Sequence, residues 1–464
     1  MRVTSKYGRV SVLAFTLGIA VGCASVPHID PVPAPSPNTT PQIRGPRGPL
    51  TAQESKALLA RSASEPGDAG LLQRHVAIEQ EVSDSALLSG NRTKILRDGA
   101  ASFGAMFSAM KSAVHNINLE YYIFEDIESN GAKLGDLLIA KAKAGVSVNV
   151  IYDSFGSAGT PAEFFDSLKA GGVKLVSFNP VNPLESRTGY APNDRDHRKI
   201  LVVDGRTAIV GGVNLSASYE NSAFAKSGAA KGAAGDPWRD TDLQIDGPAV
   251  GQLQKLFVDH WKAQKGPALD LTNMFPAIPV GGTALVRTLG STPANATPEY
   301  YVTLLSAIRN AEKSIMVSTA YFVPTDQEIE DLIGAAKRGV DVRLMLPSKS
   351  DSPKALAVGH SHYSELLAAG VKIFEMQNFV LHSKTVVIDG VWSVIGSSNF
   401  DHRSVIFNDE VDVVVLGSDT AQDMEALFQA DQSQAKAINL TAWKKRPFWD
   451  RLTEFYAVIW ETWL

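Results

Sequence analysis

Two stretches of this chain carry the same order of apolar and polar positions. An apolar run from Ile117 to Phe124 follows helix-period sequence. Ala307 to Lys313, again helix-period, leads into a second run from Ile315 to Phe322. A helix and a strand follow each run, ending AKAGVSVNVIYD in one and AKRGVDVRLMLP in the other, and LKAGGVKLVSF is then echoed by LLAAGVKIFEM. Short β-branched runs alternating with helices predict βαβ units. The expected fold is α/β: two similar αβ halves with mixed, largely parallel sheets, packed as a pseudo-two-fold dimer within one chain. The halves are expected at 90–272 and 283–440, joined between Asn273 and Gly282.

The flanks pattern differently. Arg2, Lys6 and Arg9 precede an apolar run from Val10 to Val21 and then Gly22-Cys23. This reads as an export signal over 1–23, since a helix that spans a bilayer needs about 20 apolar residues. Residues 24–50 hold Pro27, Pro31, Pro33, Pro35, Pro37, Pro41, Pro46 and Pro49. They are expected to form an extended tether that builds no core. Residues 51–89 are a helical segment, with helix from Thr51 to about Leu88. At 441–464 Leu452, Phe455, Tyr456, Ile459 and Trp463 fall at helical spacing, among Trp443, Trp449, Trp460, Lys444, Lys445 and Arg446. This amphipathic aromatic helix suits a membrane interface or packing on the domain, and both need the same apolar stripe.

Composition changes the picture in two ways. The net charge of -5 and pI near 6.0 argue against a nucleic-acid partner, because phosphate contacts dominate that affinity. The one cysteine excludes an intramolecular disulfide, and no Cys/His cluster has zinc-site spacing. No metal is expected. The chemistry must come from His, Lys, Asn and carboxylates.

A chemical motif repeats inside the duplication. HRKILVVDGRTAIVGGVN places His197, Lys199, Asp204, Gly211 and Asn214. HSKTVVIDGVWSVIGSSN places His382, Lys384, Asp389, Gly396 and Asn399. All five members are offset equally between the copies. In a strand, i and i+2 face one side, so each histidine points with its lysine. The glycines give a turn where backbone can approach an anion, and the asparagines can donate to phosphate oxygens. Asp204 and Asp389 belong to the catalytic motif, but they follow strands at turns before glycine, where they pin motif backbone rather than carry protons. A lone histidine usually has no role, which is the reading for His28, His75, His115, His260 and His402. His360 and His362 are helix residues near the substrate entrance. Chance does not repeat five residues at one offset, so His197 and His382 stand apart from these.

On these residues the chain resembles the phospholipase D superfamily, from about residue 90 to the end, and its halves resemble phospholipase D-like halves. The resemblance implies that both motifs meet around one phosphate. One histidine attacks phosphorus and forms a phosphohistidine; the other protonates the leaving alcohol and deprotonates the acceptor. His197 is assigned as nucleophile and His382 as acid/base, with the reverse left open by the pseudo-symmetry. Lys199, Lys384, Asn214 and Asn399 hold phosphate, and no cofactor is implied. A carboxylate downstream of each motif fixes the histidine tautomer: Glu410 after His382, and Asp240 after His197. Asp240 lies farther downstream, so the first half carries an insertion in the Gly/Ala/Ser-rich stretch Ser218 to Gly235.

Local sequence narrows the branch. NRTKILRDG, LEYYIFEDIESNG and WRDTDLQIDGPAV, and Asn399-Phe400-Asp401 with Arg403, Ser404 and Asn408, resemble bacterial cardiolipin synthases. This implies phosphatidyl transfer between phospholipid alcohols at a membrane surface, with phosphatidylglycerol as donor. A phospholipase D hydrolase releasing phosphatidic acid is the alternative; a nuclease and a silent lipid-binding scaffold rank below it. Ala20-Val21-Gly22-Cys23 resembles a bacterial lipobox, which implies lipidation of Cys23 and a periplasm-facing anchor in the cell envelope, on the inner or outer membrane.

Overall fold

The computed structural model describes residues 26–31, 41–182, 184, 191–220, 237–278, 281–293 and 298–463. Cys23, the signal segment and most of the Ser218 to Gly235 insertion lie outside them. No helix among the described residues is long and apolar enough to cross a membrane.

Each half is built on a seven-strand sheet, and the two sheets have the same strand order. In the first half, Lys174–Phe178, Ser147–Asp153 and Asn116–Tyr121 pair in parallel. Lys199–Val203, Thr207–Gly211, Asp242–Asp246 and Leu87–Leu96 follow, each antiparallel to its neighbour. In the second half, Lys372–Met376, Asp341–Pro347 and Ser314–Ser318 are parallel. Thr385–Ile388, Trp392–Gly396, Asn408–Leu416 and Ala284–Ser291 continue antiparallel. The sheets are therefore mixed, and among these seven strands of each half only three pair with one another in parallel. The motif strands are antiparallel because the chain leaves each of them by a tight hairpin instead of a helical crossover.

That hairpin explains the third motif residue. Asp204 and Gly205 have φ of 51° and 61°, and Asp389 and Gly390 have 55° and 66°. Arg206 N–H bonds Val203 O and Val391 N–H bonds Ile388 O, closing four-residue turns of a type that needs positive φ at both centres. The aspartate then reaches back. Asp204 accepts from the N–H groups of Val114, His115 and Asn116. Asp389 accepts from those of Glu312, Lys313 and Ser314, and from His75 Nε2 at 3.2 Å. These backbone donors lie at the entry to the strand beside each motif strand, just before and at its first residue. Asp204 and Asp389 thus fix the register of the motif strands from the far end, and His75, expected to have no role, helps in one of them.

Alternation along the motif strands decides where the core lies. Leu201 and Val203 pack under the helices Gly99–Ser112 and Leu134–Lys143. Ile200 and Val202 face the other way and meet Val387, Ile395, Val411 and Val413 of the second sheet. The helices Val250–Ala263 and Ser418–Gln432 add Leu253, Met424 and Phe428 to this layer. The halves are therefore joined face to face by a shared apolar core, and also edge to edge where Leu87–Leu96 pairs with Ala284–Ser291.

The flanks depart from expectation in ways that proline and burial explain. Residues 51–89 form two helices, Ala52–Arg61 and Pro66–Val82, because Pro66 can start a helix but not continue one. Both dock on the second half, where Glu79 pairs with Arg287 at 2.9 Å and accepts from Trp392 Nε1. The 24–50 segment is not wholly outside the core: Ile43 is buried and its strand pairs with Leu87 and Leu88. The terminal region is broken by Pro447 into Leu440–Lys444, Phe448–Ala457 and a 3₁₀ turn at Val458–Trp463.

Asp389→Ala is expected to lower unfolding free energy by about 3 kcal/mol, since it orphans buried donors and puts Ala at positive φ. Asp389→Asn, which tolerates that φ, should cost less. Urea titration of both variants checks the order.

Candidate functional site

The two motif strands end side by side at a cavity of about 530 Å³ between the halves. His197, His382, Asn214 and Asn399 all line it, and Lys199 and Lys384 are buried at its floor. Each lysine donates back to the backbone carbonyl of its own histidine. The four phosphate-binding candidates and both histidines are thus brought to one place, whereas Asp204 and Asp389 are held at the opposite ends of the strands. Those two aspartates cannot act on a ligand in the cavity: although they belong to the catalytic motif, their part in it is structural.

The carboxylates arrive from the opposite half. His197 Nδ1 lies 3.0 Å from both oxygens of Glu410. His382 Nδ1 lies 2.7 Å from Asp240 Oδ2. The order in the chain suggested Glu410 for His382 and Asp240 for His197, and the structure crosses them. The reason is the face-to-face packing: the carboxylate at the start of each last strand points over the sheet interface, not back along its own sheet. Asp409 and His382 backbones follow the same rule, His197 N–H bonding Asp409 O and His382 N–H bonding Arg239 O.

The crossed pairing also changes the role of the glycines. A Cβ at Gly212 would overlap the Asp240 carboxylate, and one at Gly396 would overlap Asp412. The gap they leave is filled by the protein's own carboxyl groups rather than by a bound anion. Asp242 and Asp412 sit under the site, and burial raises both to about 8. Asp242 accepts from the Val213 N–H, and Asp412 from the N–H and hydroxyl of Ser398.

Each histidine has different company. Glu410 also accepts from Ser397 at 2.5 Å, Ser404 at 3.0 Å and Asn408 at 3.1 Å. It is held below the usual carboxylate range: burial alone would raise it, but His197, Lys199 and Ser397 outweigh that. Asp240 has the Thr241 N–H, and burial raises it to about 6. The Tyr219 hydroxyl sits 3.0 Å from His382 Nδ1, and Trp238 lies over the ring at 4.8 Å. Tyr219 and Trp238 were not picked out from sequence, yet one signal existed. Tyr219 stands as far after Asn214 as Ser404 stands after Asn399. The duplicated positions carry different residues, and each bonds the dyad of the site it faces.

Burial sets the charge state of the cations. It holds His197 down at about 4; Glu410 pulls the ring up, while Lys199 and Lys384 push it further down. His382 is held well below 6.5 by burial, Lys384, Lys199 and His197. Lys199 falls to about 7 and Lys384 to about 8, both through burial first. An anion in the cavity would stabilise all four in their charged forms. The donors and cations gathered here suit the negative charge of a phosphodiester.

Behind His197 lies a second buried network. Glu120 accepts from Arg198 at 3.2 Å and pairs with His260 Nδ1 at 2.8 Å, with Asp196 and Asp409 alongside. Its carboxylates raise His260 to about 9 against the effect of burial. Among the described residues Glu120, Asp196 and His260 are the one group close enough to share a metal, but Arg198 and protonated His260 already supply their counter-charge. His260, read as having no role, therefore braces the strand that carries His197. His360 and His362 lie on the helix Pro353–Ala368; His362 bonds Glu365 and Glu461, and His360 faces Glu375 at 3.2 Å. His402 bonds the Val323 carbonyl.

Comparison with known proteins gives consistent results. The family described as "Cardiolipin synthase, PLD-like domain" matches residues 106–224 and 304–432. The cardiolipin synthase of Alkalihalophilus pseudofirmus is 35% identical over 367 residues, covering 78% of this chain and 70% of that protein. Cardiolipin synthase A of Pseudomonas syringae pv. syringae is 34% identical over 355 residues, 76% of this chain and 71% of that one. Among solved structures, the phosphatidylserine synthase of Haemophilus influenzae Rd KW20 has the same fold, with a TM-score of 0.61 at 13% identity over 83% of this chain and 97% of its own.

These charge states give a pH profile. An attacking imidazole must be neutral; with His197 in that role, kcat/KM is expected to fall as pH drops through about 4 rather than through the 6.5 of an ordinary imidazole. The proton-donating ring must be charged, so kcat/KM falls again as pH rises past the value of His382, which is held well below 6.5, and further through about 7 to 8 as the lysines lose their charge. Initial rates on phospholipid at constant ionic strength test both limbs. Loss of activity near pH 6.5 on the acid side would contradict the assignment.

Proposed function

The chain belongs to the cardiolipin synthase family of phospholipase D-like proteins, and on that footing we propose that it joins two molecules of phosphatidylglycerol into cardiolipin and releases glycerol. It is an enzyme, a phosphatidyltransferase acting on phospholipid substrates. The observation that carries the finer reading is the crossed pair of dyads around one cavity. Two histidines, each fixed by a carboxylate, serve one phosphorus atom.

In the proposed cycle the His197 Nδ1–H stays on ionised Glu410, which leaves Nε2 free to attack phosphorus. The phosphorus–oxygen bond to the headgroup breaks, and the alcohol leaves with a proton from His382. Phosphatidyl-His197 remains. The hydroxyl of a second phosphatidylglycerol gives its proton to His382 and attacks phosphorus, and the phosphorus–nitrogen bond breaks. One phosphodiester is exchanged for another, so no nucleotide is consumed. Lys199, Lys384, Asn214 and Asn399 stabilise the charge on the phosphoryl oxygens. The unequal dyads support this division of labour. Glu410, saturated with donors, keeps its charge and fixes the ring beside it. Asp240, raised to about 6, and Tyr219 give His382 softer surroundings suited to passing a proton in both directions.

Phosphatidyl transfer implies a membrane surface as the place of work. We further place the enzyme in the cell envelope facing the periplasm, anchored through a lipidated Cys23. The charged start, the short apolar run and the position of the chain's one cysteine support this.

Purified enzyme with phosphatidylglycerol vesicles is expected to give cardiolipin and glycerol in equal amounts; phosphatidic acid as sole product would contradict transfer. Phosphatidyl-p-nitrophenol separates the histidines, because nitrophenolate leaves without an acid. His382→Ala should still give a burst of nitrophenol and accumulate the adduct, while His197→Ala should give neither. Labelled palmitate in producing cells should enter the protein and be lost in Cys23→Ser.

A further inference from the structure

The cavity accounts for a phosphate and a headgroup, but not for acyl chains. Its volume is about 530 Å³, and the charged groups Arg195, Asp351 and Arg403 line it beside Tyr122, Trp238 and Tyr321. Acyl chains packed against those charged groups would strip their water. The chains must stay in an apolar medium while the phosphate reaches the floor, so the rim of the cavity has to meet that medium.

The C-terminal region lies at this rim. Ser352 and Ala355 line the cavity at the start of the helix Pro353–Ala368. Ala457 packs into the same small core as Ala355, Val358 and Val323. The 3₁₀ turn Val458–Trp463 packs on the short helix His402–Ile406, which carries the cavity residue Arg403. Lys354 Nζ sits 4.3 Å from the centre of the Trp460 ring, and Glu461 is fastened to His362 at 3.0 Å.

What this region leaves uncovered is unusual for a folded chain. The helix buries Ala457 and Glu454 inward. Phe448, Trp449, Phe455, Tyr456, Ile459 and Trp460 stay between 50% and three-quarters exposed, Trp449 at 72% and Phe455 at 70%. Most of the large exposed apolar side chains among the described residues are here. Single exposed apolar residues need no explanation, but a contiguous group does. Exposed Lys444, Lys445, Arg451 and Lys354 border it. Aromatic rings with a polar edge, next to cations, match the headgroup level of an anionic bilayer. Across the cavity Phe155, 61% exposed, gives the other rim an apolar point.

We propose that the face formed by Phe448–Ala457 and the following 3₁₀ turn is an interfacial docking surface. It seats on an anionic phospholipid bilayer and sets the cavity mouth at headgroup depth, so that a lipid enters phosphate first without leaving its leaflet. The proposal rests on the phospholipid-transfer reading for why the mouth must face lipid, while the surface itself is tested separately. It is distinct from the anchor proposed at Cys23: an anchor holds the chain near a membrane, and this face orients the site.

The test uses the full chain with phosphatidylglycerol/phosphatidylethanolamine vesicles whose acyl chains carry bromine near the headgroup. Tryptophan emission should be quenched, and Trp449→Phe with Trp460→Phe should remove most of that quenching, because these reporters lie in the face. The triple variant Trp449→Glu, Phe455→Glu, Ile459→Glu should lose turnover on vesicles by roughly tenfold or more. Turnover of a short-chain phosphatidylglycerol below its micelle concentration should stay at the wild-type value, which also shows that the variant is folded. Unchanged vesicle turnover in the triple variant, or absence of quenching, overturns the proposal. So does a concentration-dependent dimer that the triple variant abolishes while quenching persists in the Trp449→Phe, Trp460→Phe pair. Quenching without any turnover of either substrate would uphold the docking face and sink the transfer reading.

Discussion

A histidine that attacks phosphorus must keep one ring nitrogen bare, and a carboxylate on the other nitrogen is the group that enforces it. In this molecule that carboxylate comes from the other half of the chain. Glu410 serves His197 and Asp240 serves His382. Neither half holds a complete dyad, so the site forms only when the sheets dock face to face. Ile200, Val202, Val387 and Val413, the residues that dock them, alternate along the strands with residues that pack the outer cores. One pleat therefore serves stability on both of its faces and carries the chemistry at its end.

Burying two histidines, two lysines and two carboxylates together is costly, and the structure meets that cost with geometry. Glu410 has several donors and Asp240 has the Thr241 N–H beside His382, and a buried pair broken by removing one partner leaves a charge worth about 3–5 kcal/mol of destabilisation. Burial still lowers the lysines to about 7 and 8, although Glu410 and Asp240 pull both of them up. A phosphodiester beside them would add negative charge and favour their charged forms. Duplication gives both dyads the same frame, and Tyr219 against Ser404 makes them chemically unequal, as two successive steps with different roles require.

The duplication and its motif were legible because both depend on local rules. Strand period places His197 with Lys199, and the Asp-Gly turns after the strands announce hairpins. The mixed character of the sheet was legible, but the share of parallel pairing was not, because hairpins after the motif strands turn the later half of each sheet antiparallel. The crossing of Glu410 and Asp240 could not be read from spacing, since spacing reports distance within a half and the partner is set by packing between halves. His75 and His260 were hidden for the same reason: Asp389 and Glu120, which give them roles, are remote in sequence. Ile43 looked like tether because prolines surround it, yet one apolar side chain and a short strand pairing draw it into the core.

Nitrogen-15 NMR of the histidine rings tests the crossed pairing most directly. In the intact enzyme both motif rings should carry the proton on Nδ1 with Nε2 bare. Glu410→Gln should disturb the tautomer of His197 and leave His382 as it was, and Asp240→Asn should do the reverse. A response of His382 to Glu410→Gln, with His197 unmoved, would contradict the account.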